Sequence, residues 1–400
     1  MPVRKERYEW GEGVFNLLSW FKKEKVKNAR VLVAGAGALG NEVVKDMALF
    51  GVGNIYVVDF DRIEVSNLTR SILFREDDAF KHKWKAEVVA QRAMEINPQI
   101  KVMPIIGNLF SEVGLGLYRS CDVVVGCLDS YIARYLLNRL CMRAGKAWVD
   151  GSIENLTGML RVFAPGINCY ECGLSRDQFN HIMLRTGCAD VVRVSEKAGR
   201  VATTPISASI IGAMQVQEAM KIIHDEPGEP SPFKTLHGKM FRYEGMTNMT
   251  RIYNFASWKK NCNAHDIWQD VMKGEGLSAN MTVEETLDAL KKMLEVDSVE
   301  INMLNNKFVD VIVADKNNKE FQVMMPDSKL EDHIKTDPEL KQMRYHTLFH
   351  KSFYEDIDDE FPYKNLSLQQ VGIPPFDVIQ VATEKGQFHI ELTGDASLYL

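Results

Sequence analysis

The sequence lacks any uninterrupted apolar run of the ~18–20 residues that a bilayer crossing needs. It also lacks an excess of positive charge: Lys+Arg 48 against Asp+Glu 54 leaves −6. No basic field is there to attract nucleic acid or an anionic membrane. The amino-terminal stretch MPVRKERYEW carries charges but no apolar h-region, which argues against secretion. A disulfide scaffold is missing too, because seven cysteines at irregular spacing suit reduced thiols, a metal site or a nucleophile. Internal repeats and low-complexity tracts are absent. What remains is 46% hydrophobic and 26% charged, the balance of a folded chain, and 400 residues are enough for two or three domains. The expectation is a soluble, intracellular, cytoplasmic protein with no nucleic-acid or membrane partner.

The first half alternates strand and helix patterns. An apolar stripe through Phe15, Leu18 and Phe21 predicts a helix over 14–25. Strands are expected at 29–37, 54–59, 101–106 and 122–129, with helices at 39–50, 83–97 and 131–145. KAWVDG and LTGMLRVFAP supply further strands. This order predicts an α/β, Rossmann-like, mostly parallel sheet covered on both faces. Residues 165–204 read as irregular and polar. A helix then starts with Thr204 as N-cap and Pro205 at its first position, runs to His224, and is expected to bury Ile206, Ile210, Ala213, Met214 and Met220. DEPGEPSP (225–232) breaks the chain. After Gly274 and Gly276 the pattern becomes a small α+β unit, with a helix at 282–295 and strands at 299–303, 308–313, 320–324, 376–382 and 387–393. The expected domains are 1–276 and 277–400.

GAGALG (35–40) places Gly35, Gly37 and Gly40 between a strand and a helix, where glycines allow a tight turn and the helix N-terminus offers free N–H groups to phosphate. Asp59 ends the second strand, 24 residues after Gly35, placed to accept from ribose hydroxyls. Alone this suits NAD(P) or ATP equally, or a turn with no ligand. DFDRIEVSNLTRS (59–71) then adds Asp61, Asn67 and Arg70, Lys85 heads the next helix, and Asp129 ends the 122–129 strand. All sit at carboxyl ends of strands, the rim where open α/β sheets bind ligands. Arg and Lys neutralise phosphate oxygens and Asp can hold magnesium, which favours a triphosphate over a nicotinamide.

Together, GAGALG, DFDRIEVSNLTRS, HKWKAEV and CLDSYIARYLLN resemble the adenylation domain of ubiquitin-activating enzymes and their bacterial sulfur-carrier relatives, over roughly 28–225. The resemblance implies adenylation, with MgATP, of the C-terminal glycine of a ubiquitin-like protein. It implies that Asp59 holds the ribose, that Asn67, Arg70 and Lys85 bind phosphate, and that Asp129 positions magnesium. Ser71, where the family usually has Gln, and Ala38, where a third glycine is usual, depart from the pattern. An N-terminal arginine completing a neighbouring subunit's ATP site would be Arg4 or Arg7. A compact chain of this type would suit a bacterial ubiquitin-like conjugation system.

Cys169-Tyr-Glu-Cys172 and Cys262-Asn-Ala-His265 are two ligand pairs that could close a tetrahedral zinc site, although 89 residues separate them. A redox dithiol at 169/172 and ordinary buried thiols are the alternatives. Cys121, Cys127 and Cys141 lie in apolar segments and read as small buried hydrophobes. Cys188 lies in the polar LRTGCADVV between Arg185 and Arg193 and, from sequence alone, reads as an inert loop thiol. C-x-x-C followed by Gly-Cys resembles the catalytic subunits of SUMO-type activating enzymes, which implies that Cys188, on a 173–204 crossover segment, is the thioester nucleophile. In LSLQQVGIPPFDVIQVATEKGQFHIEL (366–392) the chain resembles the closing strands of their ubiquitin-fold (β-grasp) domain, which recruits a conjugating enzyme. A homodimer is expected because the family pairs adenylation domains. A sulfur-carrier adenylyltransferase in which Cys188 is incidental, an NAD-dependent oxidoreductase and a non-catalytic scaffold subunit are the alternatives.

Overall fold

The computed structural model describes residues 10–11, 13–186, 202–226, 228, 231–255, 257–304, 306–314, 320–340 and 347–400. Two compact units emerge: the chain up to Leu109 together with Tyr118–Ile267, and Phe110–Leu117 together with Trp268–Leu400.

The first unit runs α1 (Lys23–Asn28), β1 (Arg30–Ala34), α2 (Ala38–Phe50), β2 (Asn54–Val58), α3 (Glu76–Phe80), α4 (Lys85–Ile96) and β3 (Lys101–Ile105). Helix α5 (Leu115–Ser120) leads back into it, followed by β4 (Val123–Gly126), α6 (Tyr131–Arg143), β5 (Trp148–Glu154), β6 (Thr157–Phe163), α7 (Arg176–Thr186), α8 (Pro205–His224), β7 (Lys239–Glu244) and β8 (Met249–Asn254). The sheet order is β3-β2-β1-β4-β5-β6-β7-β8. Its first five strands pair in parallel, and β6 to β8 add on as antiparallel neighbours. Strands β1 and β4 are buried on both faces, which is why their sequences are unbroken apolar runs. Val33, Val57, Val125 and Val149 of the sheet join Val43, Val44 and Met47 of α2 and Val216 and Ala219 of α8 in one core. The crossover leaves β1 on one side for β2 and on the other for β4, so a switch point opens at the carboxyl end of β1. Among the described residues no helix is long and apolar enough to cross a membrane.

Three local expectations are corrected. The helix over 14–25 is instead a 3-10 turn at Phe15–Leu17 followed by α1. Its stripe wraps two helix ends rather than lining one face: Phe15 and Phe21 pack on Phe50, and Trp20 packs on His224 and Phe233. The 165–204 stretch contains α7, opened by a reciprocal Ser175–Gln178 box. Helix α8 begins as expected, Thr204 accepting from the Ser207 amide, but it buries Ala208, Ile211, Gln215 and Val216 as well as Met220, while Ile206 and Ala213 are exposed. A helix apolar nearly all round does not mark its inner face by composition.

The second unit is α+β, with β9 (Val271–Gly274), α9 (Val283–Leu294), β10 (Glu300–Asn302), β11 (Phe308–Ala314), β12 (Glu320–Pro326), α10 (Asp327–Thr336), β13 (Thr347–Tyr354), β14 (Asp356–Ile357), α11 (Leu368–Val371), β15 (Val378–Thr383) and β16 (Gly386–Leu392). One sheet runs β14-β10-β15-β16-β9 and a second runs β12-β11-β13. The first and last strands, β9 and β16, pair in parallel. Helix α9 starts with a Thr282–Glu285 capping box and packs Val283, Leu287 and Leu290 against Ile301, Val381 and Ile390. The buried Asp395 carboxylate closes this unit, accepting from the Ser278 hydroxyl at 2.6 Å and the amides of Ala279 and Phe376 at 2.8 and 3.1 Å. Asp395→Ala leaves two buried amides without an acceptor, at about 1–3 kcal/mol each. The expected result is a lower urea midpoint for the second unit; an unchanged midpoint would contradict this role.

Candidate nucleotide site and zinc centre

The site begins in the turn from β1 to α2. Gly35 has φ +100°, and a Cβ there would lie 2.6 Å from the Cys127 carbonyl oxygen at the end of β4. A Cβ on Gly40 would lie 2.1 Å from the Gly35 carbonyl oxygen. Glycine at both positions is therefore a steric requirement of β1, β4 and α2 meeting in one turn. Gly37, the N-cap of α2, faces open space, which leaves the first-turn amides free for an anion.

Asp59 follows β2 and reaches across to this turn. One carboxylate oxygen accepts from the Ala36 amide and the other from the Asp61 amide, each at 2.7 Å. Burial raises its pKa above the ordinary carboxylate value, and the Lys85 charge and those two amides oppose the shift. Asp61 itself pairs with Lys85 at 2.6 Å, and the Lys85 amide donates to the Asp61 carbonyl. Asp59, Asp61, Lys85 and the glycine turn thus form one bonded group.

Asn67 and Arg70 lie on the segment after it, around a 3-10 turn at Val65–Thr69. The Asn67 side-chain oxygen accepts from the Glu64 amide, and Arg70 donates to the Ser66 carbonyl at 2.8 Å. The pin joining this segment to the glycine turn is Asn41, which sequence reasoning missed. Fully buried in α2, it donates to the Ala36 and Gly37 carbonyls and accepts from the Leu73 amide, all at 2.9 Å. The available signal was a polar residue on the apolar stripe of α2. Asp129 stands exposed just beyond β4, before the Ser130 N-cap of α6. Gln215 of α8 was missed as well; it is buried and donates to the Gly126 carbonyl at the end of β4 at 2.8 Å. Cys188, Arg4 and Arg7 lie outside the described residues.

The two cysteine-containing pairs meet in space. Cys169, Cys172, Cys262 and His265 bring their ligand atoms within 4.8 Å of one another. The Cys169 and Cys262 sulfurs are 3.8 Å apart, and His265 Nε2 is 3.3 Å from both Cys169 and Cys172. Zinc–sulfur bonds of about 2.3 Å in a tetrahedron put sulfurs about 3.8 Å apart. The Cys172 amide donates to the Cys169 sulfur and the Lys259 amide to the Cys172 sulfur; burial raises the Cys169 thiol above its ordinary value, and the Cys172 amide opposes that shift. His265 Nδ1 is buried without a hydrogen-bond partner, and Trp258 stacks on its ring. The donor set fits a structural Cys3His zinc. Cys121 and Cys141 are buried and Cys127 is half-buried; burial pushes the Cys121 thiol up to about 12 and raises the other two well above the ordinary thiol value, as inert core thiols require.

Fold and rim together define a doubly wound α/β protein with an open switch point and a zinc-type cluster. The chain belongs to the ThiF family, whose profile matches residues 14–264. It is 32% identical over 207 residues to the sulfur carrier protein adenylyltransferase of Thermus thermophilus, covering 50% of this chain and 71% of that protein. To the NEDD8-activating enzyme E1 catalytic subunit of Arabidopsis thaliana it is 38% identical over 157 residues, 36% of this chain and 34% of that one. It is 30% identical over 242 residues to the adenylyltransferase and sulfurtransferase MOCS3 of Drosophila willistoni, covering 60% of this chain and 49% of that protein, so the chain spans about half the length of this relative. Escherichia coli MccB crystallised with ATP shares the fold at TM-score 0.50 and 23% identity, over 66% of this chain and 75% of that one.

Two outcomes follow. Gly40→Ala forces the Gly35 carbonyl out of the turn, so the protein should melt at a lower temperature; a wild-type melting temperature would refute the packing argument. Protein purified without added zinc should carry an equimolar amount of the metal, and Cys172→Ser should lose it and melt at a lower temperature. Metal-free wild-type protein would leave the cluster a set of buried thiols.

Proposed function

We propose that the chain uses MgATP to adenylate the C-terminal glycine carboxylate of a small carrier protein of the ubiquitin-like or sulfur-carrier type. The observation that carries this is the bonded group of glycine turn, Asp59, Asp61 and Lys85 at the switch point of a ThiF-family sheet. Asp59 is already ordered by two amides and keeps lone pairs for ribose hydroxyls. The α2 amides, Arg70 and Lys85 meet the phosphates, with Lys85 exchanging its Asp61 partner for a phosphate oxygen. Asp129 is the ligand offered to the magnesium that enters with ATP. The carrier's carboxylate oxygen attacks the α-phosphorus, the bond to the β-phosphate oxygen breaks, and pyrophosphate leaves with the electron pair. The cationic side chains stabilise the charge that develops on it. Cys169, Cys172, Cys262 and His265 would hold zinc as a structural clamp with no part in these steps.

Similarity to an E1 catalytic subunit supports a second stage. The Cys188 thiolate attacks the acyl-adenylate carbonyl, AMP departs and a thioester remains, with the thiol proton lost to solvent. Residues 277–400, as a ubiquitin-fold domain, then recruit the conjugating enzyme that accepts the acyl group, and the enzyme works as a homodimer. Similarity to a sulfur carrier protein adenylyltransferase supports the other reading, in which the adenylate is the product used downstream and Cys188 is incidental.

ATP–pyrophosphate exchange should depend on a carrier protein ending in glycine, and Lys85→Ala should lower it by about 10²–10³. Exchange that ignores every such carrier would end the activation reading. Cys188→Ala should retain exchange but lose the thiol-sensitive carrier adduct on a non-reducing gel; an adduct that survives the substitution would exclude Cys188 as the nucleophile, and wild-type protein that forms no adduct would leave the sulfur-carrier reading.

A further inference from the structure

Arg134, in the first turn of α6, is 5% exposed and meets the fully buried Asp150 of β5. Its Nε donates to Asp150 Oδ1 at 2.9 Å. Asp150 is also the register partner of Arg161 on β6, and Arg161 donates to Asp150 Oδ2 through both Nε and Nη2. Arg161 by itself would neutralise this carboxylate. The second guanidinium exceeds what Asp150 alone balances, and the Asp129 carboxylate acts on it as a further opposite charge.

What distinguishes Arg134 is its remaining arm. Nη2 donates to the Leu128 carbonyl at 2.5 Å and to the Gly151 carbonyl at 3.3 Å, tying the exit of β4 to β5. The peptide unit that begins at the Leu128 carbonyl ends at the Asp129 nitrogen. On its other side Asp129 is followed by Ser130, whose hydroxyl accepts the Ala133 amide and whose carbonyl accepts the Arg134 amide. The exposed Asp129 is therefore held between a carbonyl gripped from below and a helix cap. We propose that Arg134 is a positioning residue that aims Asp129 at the magnesium of bound MgATP, using Asp150 as its anchor. This rests on the MgATP reading above.

The test is ATP binding to the full chain by calorimetry, in EDTA and across a magnesium titration. Wild-type protein should bind ATP more tightly as magnesium rises. Arg134→Lys keeps the charge but loses the fork, and should raise the magnesium needed by about 10–100-fold, the usual cost of removing a residue that orients a metal ligand, with magnesium-free ATP affinity unchanged. Arg161→Lys weakens the same buried carboxylate without touching Leu128, and should lower the melting temperature while leaving the magnesium requirement at the wild-type value. In an Asp129→Asn background, Arg134→Lys should add nothing. If Arg134→Lys does not fold, Arg134→Met, which leaves Asp150 paired with Arg161, is read in the same way. Equal magnesium shifts in the Arg134 and Arg161 variants, or none in the Arg134 variant, overturn the inference alone. Wild-type protein that binds no ATP overturns the activation reading with it.

Discussion

The contact of Gly35 with the Cys127 carbonyl is the constraint on which the rest of the first unit depends. It brings the carboxyl ends of β1 and β4 closer than any side chain would allow. Helix α2 must then start at once, with Gly40 seated on the carbonyl of Gly35 and Gly37 turned outward. Because the turn is so short, the Ala36 amide lies within reach of Asp59 on the neighbouring strand. Asn41, one turn into α2, reaches back to the same carbonyls and outward to Leu73. A single close approach of backbone thus organises three strand ends and the loop that carries Asn67 and Arg70.

Around this turn, buried charge is used for placement rather than for stability. Burying an ion pair gains little over packing hydrophobic groups of the same volume, because desolvation offsets the attraction. Asp59 is buried enough that its ionised form is disfavoured, and the structure tolerates this with two amides and Lys85 nearby. Asp150 holds two guanidiniums where one would balance it. Both carboxylates fix the position of something else: the turn amides in one case, the exit of β4 in the other.

The cysteine and histidine cluster works at longer range. It joins the segment after β6 to a segment beyond β8, Cys169 and Cys262 being 93 positions apart in the chain. Tyr170, between the first two ligands, donates its amide to Asn138 of α6, so the cluster and the helix that follows Asp129 share a scaffold. A metal there would close a long loop, where a constraint on the unfolded chain contributes most.

Local pattern was enough for much of this molecule. The alternation of apolar runs and helical stripes, the cap at Thr204 and the glycine turn were legible because each depends on neighbours within a few residues, and Asp59 was legible as a carboxylate at the next strand's end. The four metal-ligand candidates were legible as two spaced pairs. Their meeting within 4.8 Å belongs to the fold, as do the inner face of α8 and the breaking of the stripe at 14–25. Asn41, Gln215, Arg134 and Asp150 could not be ranked from sequence, because each acts on a backbone group that only strand order and helix packing bring beside it. The amino-acid order determined which elements form and which chemistry reaches the sheet's rim. Tertiary structure alone decided which buried polar side chains aim that chemistry, since a hydrogen bond across tens of residues leaves no periodic trace in the chain.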